Sequence, residues 1–416
     1  MIRLLFAFFL LALSSIPCNA YSVLTHEALI DVAWDSYLVP LLKQRYHLND
    51  SLLKEAHAYA YGGAVAPDMG YYPFGSKLFT NLVHYVRSGD FVTAILNEAQ
   101  NADEFAFALG VTCHYFADTY GHPLGVNPSV PIAYPKLKEK FGKVVTYEED
   151  PVSHKRVEFA FDVTQTARGN YASQSYHDFI GFKVATPVLE RAFYKTYDLH
   201  LDEVFSNLDR AVGTFRWSVK NFFPALTKAA WASKKPDIRK SNEGITGRKF
   251  KYQMKRANYN KEFGKERDKP KFFSFLFSGL IKILPKIGPL RPLKFKTPGP
   301  EVEKLYIASF DTVQSHYRLT IKKISEDKLF FKDKDLDTGK DEAPGEYKFT
   351  DATYCEWLLK LQDKRFDSLD LAPKQDIIQF FQDPQKIIST QKNKHDQEKI
   401  MKALDQLKQH EVTTKP

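Results

Sequence analysis

Residues 105–125 read FAFALGVTCHYFADTYGHPLG, and this stretch carries the pattern that decides the fold. Within it, His114, Asp118 and His122 stand four residues apart. A helix turns about 100° per residue, so these three side chains fall within about 80° of one another on one face. Most of the remaining residues are apolar or aromatic, which predicts that the helix is buried.

A carboxylate between two imidazoles on a buried helix needs a compensating charge. An ionised Asp118 without a partner would be strongly destabilising in an apolar interior. A divalent cation meets that need, since imidazole and carboxylate are both ligands of zinc. A buried network of hydrogen-bonded His and Asp would also satisfy these side chains, so the helix alone leaves both interpretations open.

The composition is that of a globular protein with a net positive charge. The chain has 416 residues, 44% of them hydrophobic, and a formal net charge of +9. This length allows two or three domains, and the positive charge favours anionic partners such as lipid headgroups or nucleic acid. Cys113 and Cys355 are far apart in sequence, and we expect them to be free buried thiols.

The first twenty residues have the three parts of a secretory signal peptide. Arg3 supplies the positive start, Leu4–Leu13 the apolar core, and Cys18–Ala20 a cleavage site of small residues. The apolar run is shorter than an ordinary membrane span. Cleavage after Ala20 would leave Tyr21 with a free amine that can bind a metal, and we expect the mature protein to be secreted, either outside the cell or into the periplasm.

Further metal-capable side chains are spread over the first 160 residues. They are His26 at a helix start, Asp68 on a turn, His84 in an apolar segment, and His154 with Glu158 on one helical face. Taken singly, each has an ordinary explanation, such as a surface histidine, a turn-forming Asp or a core histidine. Their presence beside the 105–125 helix indicates a common site.

Two later segments differ from the helical first part. Residues 232–300 hold 19 Lys and Arg against 5 Asp and Glu, with aromatic residues between them and an apolar run inside. This composition suits the surface of an anionic membrane, but an insertion docked on the core or a nucleic-acid-binding segment would share it. In residues 301–416 we predict a small α+β region, with a strand over 317–324 and a solvated hairpin or loop at 333–341.

Taken together, these residues resemble the secreted zinc-dependent phospholipases C of bacteria, whose trinuclear zinc fold is shared with certain fungal single-strand nucleases. The resemblance covers about residues 21–230. It implies a mainly α, multi-helix catalytic domain. The predicted organisation is a signal peptide at 1–20, the catalytic domain at 21–231, a basic insertion or linker at 232–300, and a small C-terminal α+β domain at 301–416.

The resemblance also implies three zinc ions per chain. One would be bound by Asp68, His84 and His114, a second by His122, His154 and Glu158, and a third by Tyr21 and His26, with Asp118 bridging the first and third. Two roles remain open between Asp68 and Asp118, namely orienting the metal-activated water and taking its proton.

The activity implied is a phospholipase C that hydrolyses glycerophospholipids of the phosphatidylcholine type to diacylglycerol and a phosphorylated headgroup. The expected partner is the surface of a phospholipid membrane, with nucleic acid less favoured, and we expect a monomer. Tyr71, Tyr72 and Phe74 follow Asp68 and are candidates for a headgroup pocket. A zinc-dependent single-strand nuclease and a non-catalytic metal-binding membrane protein are the alternatives.

Overall fold

Helices and loops make up the described part of the computed structural model, which covers residues 22–172, 174–227, 229–230, 288–324, 329–367, 369–388 and 394–411. These residues contain no β-strand, and one isolated antiparallel bridge joins Lys334 to Asp341. The prediction of a mainly α protein is therefore confirmed. The signal peptide, Tyr21 and residues 231–287 of the basic segment lie outside the described residues, and the domain boundaries stay predictions.

The first part of the chain is a succession of helices joined by short turns. The helices are α1 Val23–Ala33, α2 Val39–Tyr46, α3 Asp50–Val65, α4 Lys77–Tyr85, α5 Ser88–Asn97, α6 Ala102–Gly121, α7 Asn127–Ala133, α8 Pro135–Phe141, α9 Pro151–Ala167, α10 Gln174–Ile180, α11 Thr186–Tyr197, α12 Leu201–Val204 and α13 Leu208–Trp217. Single 3-10 or π turns lie at Trp34–Leu38, Ala66–Tyr71, His122–Val126 and Ser218–Phe222. Several helices begin at a polar side chain that accepts a hydrogen bond from the N–H three residues on, namely Asn49, Ser76, Asn101 and Asp150.

The C-terminal helices pack on the first part and share one apolar core with it. They follow a 3-10 turn at Gly288–Lys294 and are α14 Pro300–Ile324, α15 Lys348–Asp363, α16 Leu371–Phe380, α17 Pro384–Ile388 and α18 Lys394–Gln409. Hydrogen bonds join the two parts: Tyr317 Oη donates to Leu109 O at 2.9 Å, and Trp357 Nε1 donates to Tyr197 O at 2.9 Å.

The predicted strand over 317–324 is wrong, because these residues form the last two turns of α14. Tyr317, Leu319 and Ile321 alternate in a strand-like way, but Leu319 is 57% exposed whereas its two neighbours in the pattern are buried. The buried face runs instead through Val313, Tyr317, Ile321 and Ile324. Spacings of four, four and three residues are those of a helix, so the described C-terminal region is helical rather than α+β.

Other expectations can be compared directly with the structure. Cys113 and Cys355 are free and buried, as predicted.

Among the described residues, no helix combines the length and apolar character needed to cross a bilayer. The described end of the basic segment lies on the core, since Leu293 and Phe295 are buried and the Phe295 ring packs edge-on against Phe159 at 5.7 Å.

A close crossing of α3 and α6 organises the centre of the molecule. A Cβ added to Gly110 on α6 would lie 2.2 Å from Ala60 O on α3, and one added to Gly63 would lie 1.9 Å from Phe107 O. Only glycine permits backbones to approach so closely. The crossing also sets the position of His114, one turn after Gly110, whose Nδ1–H donates to Ala64 O at 3.0 Å.

We expect Gly110→Ala to lower the free energy of unfolding by at least about 1–3 kcal/mol, because the added methyl meets backbone rather than a flexible side chain. Gly213→Ala is the matched control, since Gly213 lies in α13 with no atom within 4 Å of the added methyl. That change should leave stability unaltered or raise it by up to about 1 kcal/mol. Denaturant unfolding followed by circular dichroism measures both, and equal effects would contradict the packing described.

Candidate metal centre

Eight of the nine predicted ligands lie in the described residues, and all eight are buried. Most of them fall into three groups, within each of which the potential ligand atoms lie within 4.8 Å of one another. The groups are His26, His114 and Asp118; Asp68, His84 and His114; and His122, His154 and Asp337. The first two share His114 and form one continuous cluster. Glu158 belongs to none of the three groups.

Helix α6 supplies the centre of this cluster. The hydrogen bond from His114 Nδ1 to Ala64 O turns Nε2 toward Asp118 Oδ2, which lies 3.3 Å away. Asp118 is fully buried one turn further along the helix. The helix ends at Gly121, so His122 begins the following π turn rather than continuing the α-helix.

Thr80 on α4 positions the neighbouring ligands. Its carbonyl accepts from His84 Nδ1 at 2.8 Å, which leaves His84 Nε2 facing the cluster. Its hydroxyl donates to Pro67 O and accepts from Gly70 N, both at 2.8 Å, and so holds the 3-10 turn that carries Asp68. His84 Nε2 lies 3.5 Å from Asp68 Oδ1 and 3.4 Å from Asp118 Oδ2.

Two imidazole nitrogens face each other at the middle of the cluster. His84 Nε2 and His114 Nε2 are 3.1 Å apart, and both rings donate their Nδ1–H to backbone carbonyls. In the neutral rings both Nε2 atoms therefore carry lone pairs, and the contact requires either a proton or a cation between them. Burial disfavours the charged form of His84, but the nearby carboxylates of Asp118 and Asp68 outweigh this and raise its pKa to about 10.

His26 enters the cluster from helix α1. Its ring stacks on His114 with centroids 4.6 Å apart, and its Nε2 lies 3.7 Å from Asp118 Oδ1. Burial, and after it the neighbouring His114, hold the pKa of His26 well below its ordinary value, which favours the neutral form that a metal binds. The start of α1 is anchored by Asp162, which accepts from Thr25 Oγ1 at 2.7 Å and from Leu24 N at 3.0 Å.

The third group includes an acidic residue from the C-terminal part of the chain. His122 Nδ1 lies 2.8 Å from Asp337 Oδ1, and His154 Nε2 lies 3.6 Å from the same oxygen. A turn closed by the bridge between Lys334 and Asp341 is present at 333–341, but the expectation that it is solvated is wrong, since Asp335 and Asp337 are buried. They are buried because the loop folds back on the first part of the chain, where Leu336 N donates to His84 O at 3.1 Å.

Glu158 lies behind His154, one helical turn along α9. Its Oε1 is 2.6 Å from His154 Nδ1, the ring nitrogen that points away from Asp337. Burial raises the pKa of Glu158 well above its usual range, and burial lowers that of His154 to about 3. Through this contact Glu158 orients the His154 ring.

The buried polar atoms of this region can be compared with the ligands that zinc prefers. Several buried atoms have no hydrogen-bond partner among the described residues: Asp68 Oδ1, both oxygens of Asp118, His122 Nε2 and Glu158 Oε2. Unpaired buried polar atoms cost about 1–3 kcal/mol each, and these lie on residues of one region. Imidazole nitrogens and carboxylate oxygens are the ligands zinc takes, so the residues fit the metal.

Residues 25–207 match the family model described as zinc dependent phospholipase C. This part of the chain belongs to the zinc-dependent phospholipase C family. Searches of curated proteins and of solved structures found no significant match. The phospholipase C domain contains all eight described ligands that the sequence predicts, and Asp337 lies beyond its end.

Sequence reasoning missed the residues that orient the ligands in the phospholipase C domain. Thr80 and Ala64 orient the two histidines through backbone carbonyls, which any residue type could supply, so no sequence signal reveals this role. Asp337 had a weak signal, because Asp335, Asp337 and Gly339 form a turn-like pattern that is also common in solvated loops.

We expect zinc to raise the melting temperature of the purified protein by roughly 5–10 °C and a chelator to reverse the rise, since a ligand that binds only the folded state stabilises it. Asp118→Asn should remove most of the response, because it takes the central charge out of the cluster. Asp311→Asn, an exposed position on α14, is the control and should respond like the wild type. An unchanged zinc response in Asp118→Asn, measured by differential scanning calorimetry, would contradict the assignment.

Proposed function

We propose that this protein is a zinc-dependent phospholipase C that hydrolyses glycerophospholipids of the phosphatidylcholine type to diacylglycerol and a phosphorylated headgroup. The observation that carries the proposal is the gathering of buried imidazoles and carboxylates around Asp118 in a chain whose residues 25–207 belong to that family. No Ser or Cys nucleophile is needed, because water is the attacking group.

Zinc bound by these residues would neutralise the phosphodiester charge and lower the pKa of a bound water. By resemblance it would number three ions, and the three groups of donors are compatible with that number. The metal-binding side chains are already oriented by the protein. Backbone carbonyls hold the His84 and His114 rings so that their Nε2 atoms face each other.

Asp68 and Asp118 have different tasks in this proposal. Burial opposes ionisation of Asp118, but His114 and His122 outweigh it and hold its pKa well below the usual range. Burial raises the pKa of Asp68, and the charge of Asp118 adds to the rise. An ionised carboxylate suits charge balance, and one with a raised pKa suits proton acceptance. On geometry, we assign Asp118, which three imidazoles contact, as the central anionic ligand, and Asp68, which lies beside His84, as the proton acceptor.

Among the three aromatic residues expected near the headgroup, Tyr71 is the one we propose to contact substrate. Its ring centroid lies 6.4 Å from that of His84. Tyr72 instead packs edge-on against Phe215 in the core, and Phe74 is 46% exposed with Arg210 over its ring.

A phospholipid bilayer is the partner we propose, reached by a secreted monomer. The net charge of +9 and the basic composition of residues 232–300 support attraction to an anionic surface. The pattern of the first twenty residues supports secretion, with cleavage near Ala20.

We expect the mature, zinc-loaded protein to release phosphocholine from phosphatidylcholine liposomes, and a chelator to stop the release. Asp118→Asn should lower kcat/KM by at least about 100-fold, in the range seen when a metal centre is disturbed, whereas Asp311→Asn should retain full activity. Colorimetric detection of phosphocholine together with chromatography of diacylglycerol measures the reaction.

Single-stranded DNA is incubated in parallel under the same conditions. Cleavage of DNA without hydrolysis of lipid would contradict the proposal and show that the protein is a single-strand nuclease. If the folded, zinc-loaded protein acts on neither substrate, the result would also contradict the proposal and favour a non-catalytic metal-binding protein.

A further inference from the structure

The matched phospholipase C domain ends at residue 207, yet one group of candidate ligands is completed by a residue far beyond it. Asp337 lies 215 residues from His122 in sequence. We propose that Asp337 is the carboxylate ligand of the zinc ion held by His122 and His154, so that the C-terminal part of the chain completes the metal centre. The inference rests on the proposed zinc centre and is independent of the substrate.

The two oxygens of Asp337 have different surroundings. Oδ2 is anchored, since it accepts from Tyr147 N at 3.0 Å and from Tyr347 Oη at 2.5 Å. Oδ1 faces the imidazoles of His122 and His154, at 2.8 and 3.6 Å. One oxygen held by the protein and the other turned to two histidines is the arrangement expected of a carboxylate that offers a metal a single oxygen.

Close backbone contacts and hydrogen bonds hold the loop that carries Asp337 against the phospholipase C domain. Gly339 has a φ of +69°, and a Cβ there would lie 2.4 Å from Thr119 O on α6. Asp335 Oδ1 accepts from Asp337 N at 2.9 Å, which fixes the turn. Asn127 Nδ2 donates to Asp337 O at 2.8 Å from the side of the histidines.

Glu158, which the family resemblance assigns to this ion, is a positioning residue in our proposal. It is engaged with His154 Nδ1, and the ring directs its other nitrogen toward Asp337. A carboxylate behind a metal-binding imidazole fixes the orientation of the ring. His154 Nε2 also faces Asn127 Oδ1 at 2.6 Å, so a cation on this nitrogen replaces that hydrogen bond.

Zinc content of the full-length mature protein tests the proposal without any lipid substrate. Elemental analysis after dialysis against free zinc should find about one ion fewer per chain in Asp337→Asn than in the wild type. Glu158→Gln should reach the wild-type content at saturating zinc, with an affinity about 10–100-fold lower. Asp341→Asn, whose side chain is largely exposed on the same loop, is the matched control and should be unchanged.

A second variant separates ligation from folding. Asp337→Cys keeps a zinc ligand at this position, so it should restore the lost ion. With cobalt in place of zinc it should also show a new thiolate-to-metal band in the near ultraviolet, whereas Cys113 and Cys355 are already present in the wild-type reference.

The opposite results decide against the proposal. Full zinc content in Asp337→Asn with one ion lost in Glu158→Gln would return the ligand role to Glu158. Full content in both, with weaker affinity only, would make Asp337 a residue that orients His122. Because zinc is counted directly, failure of lipid hydrolysis in the wild type would not be confused with any of these results.

Discussion

The rest of the structure depends on one buried carboxylate. Asp118 has no exposed surface, and neither of its oxygens has a hydrogen-bond partner among the described residues. Three imidazoles surround it, with nitrogen-to-oxygen distances of 3.3 to 3.7 Å. A buried charge is tolerated only when it is paired, so the fold must keep positive charge at this place. A zinc ion and a protonated histidine both satisfy that condition, and His84 and His114 turn their Nε2 atoms toward Asp118.

The scaffold holds this arrangement through groups that do not themselves bind a metal. The carbonyls of Ala64 and Thr80 orient two of the rings. The glycine contacts between α3 and α6 bring the Ala64 carbonyl within reach of His114, whereas Thr80 lies one turn before His84 on the same helix. The C-terminal helices add to this scaffold, since Tyr317 caps a carbonyl of α6 and the loop at 333–341 lies against its end. We therefore regard the C-terminal region as part of the unit that shapes the centre.

Much of the fold and of the candidate site could be predicted from sequence, and the failures have physical causes. The spacing of His114 and Asp118 along a helix, together with the family resemblance, predicted a cluster of buried ligands because helical periodicity is a local property. Asp337 could not be predicted, because its place depends on a contact between segments 215 residues apart. The strand at 317–324 was wrong because an exposed Leu319 completed an alternating pattern on a helix whose buried face is set by tertiary packing.

The most direct measurement of the central claim is anomalous diffraction at the zinc edge from crystals of the mature protein grown with zinc. We expect peaks about 2.0–2.2 Å from His84 Nε2, His114 Nε2 and an oxygen of Asp118, the distances at which zinc binds such ligands. The absence of any anomalous peak at this cluster, with His84 hydrogen-bonded directly to Asp118, would contradict the metal assignment.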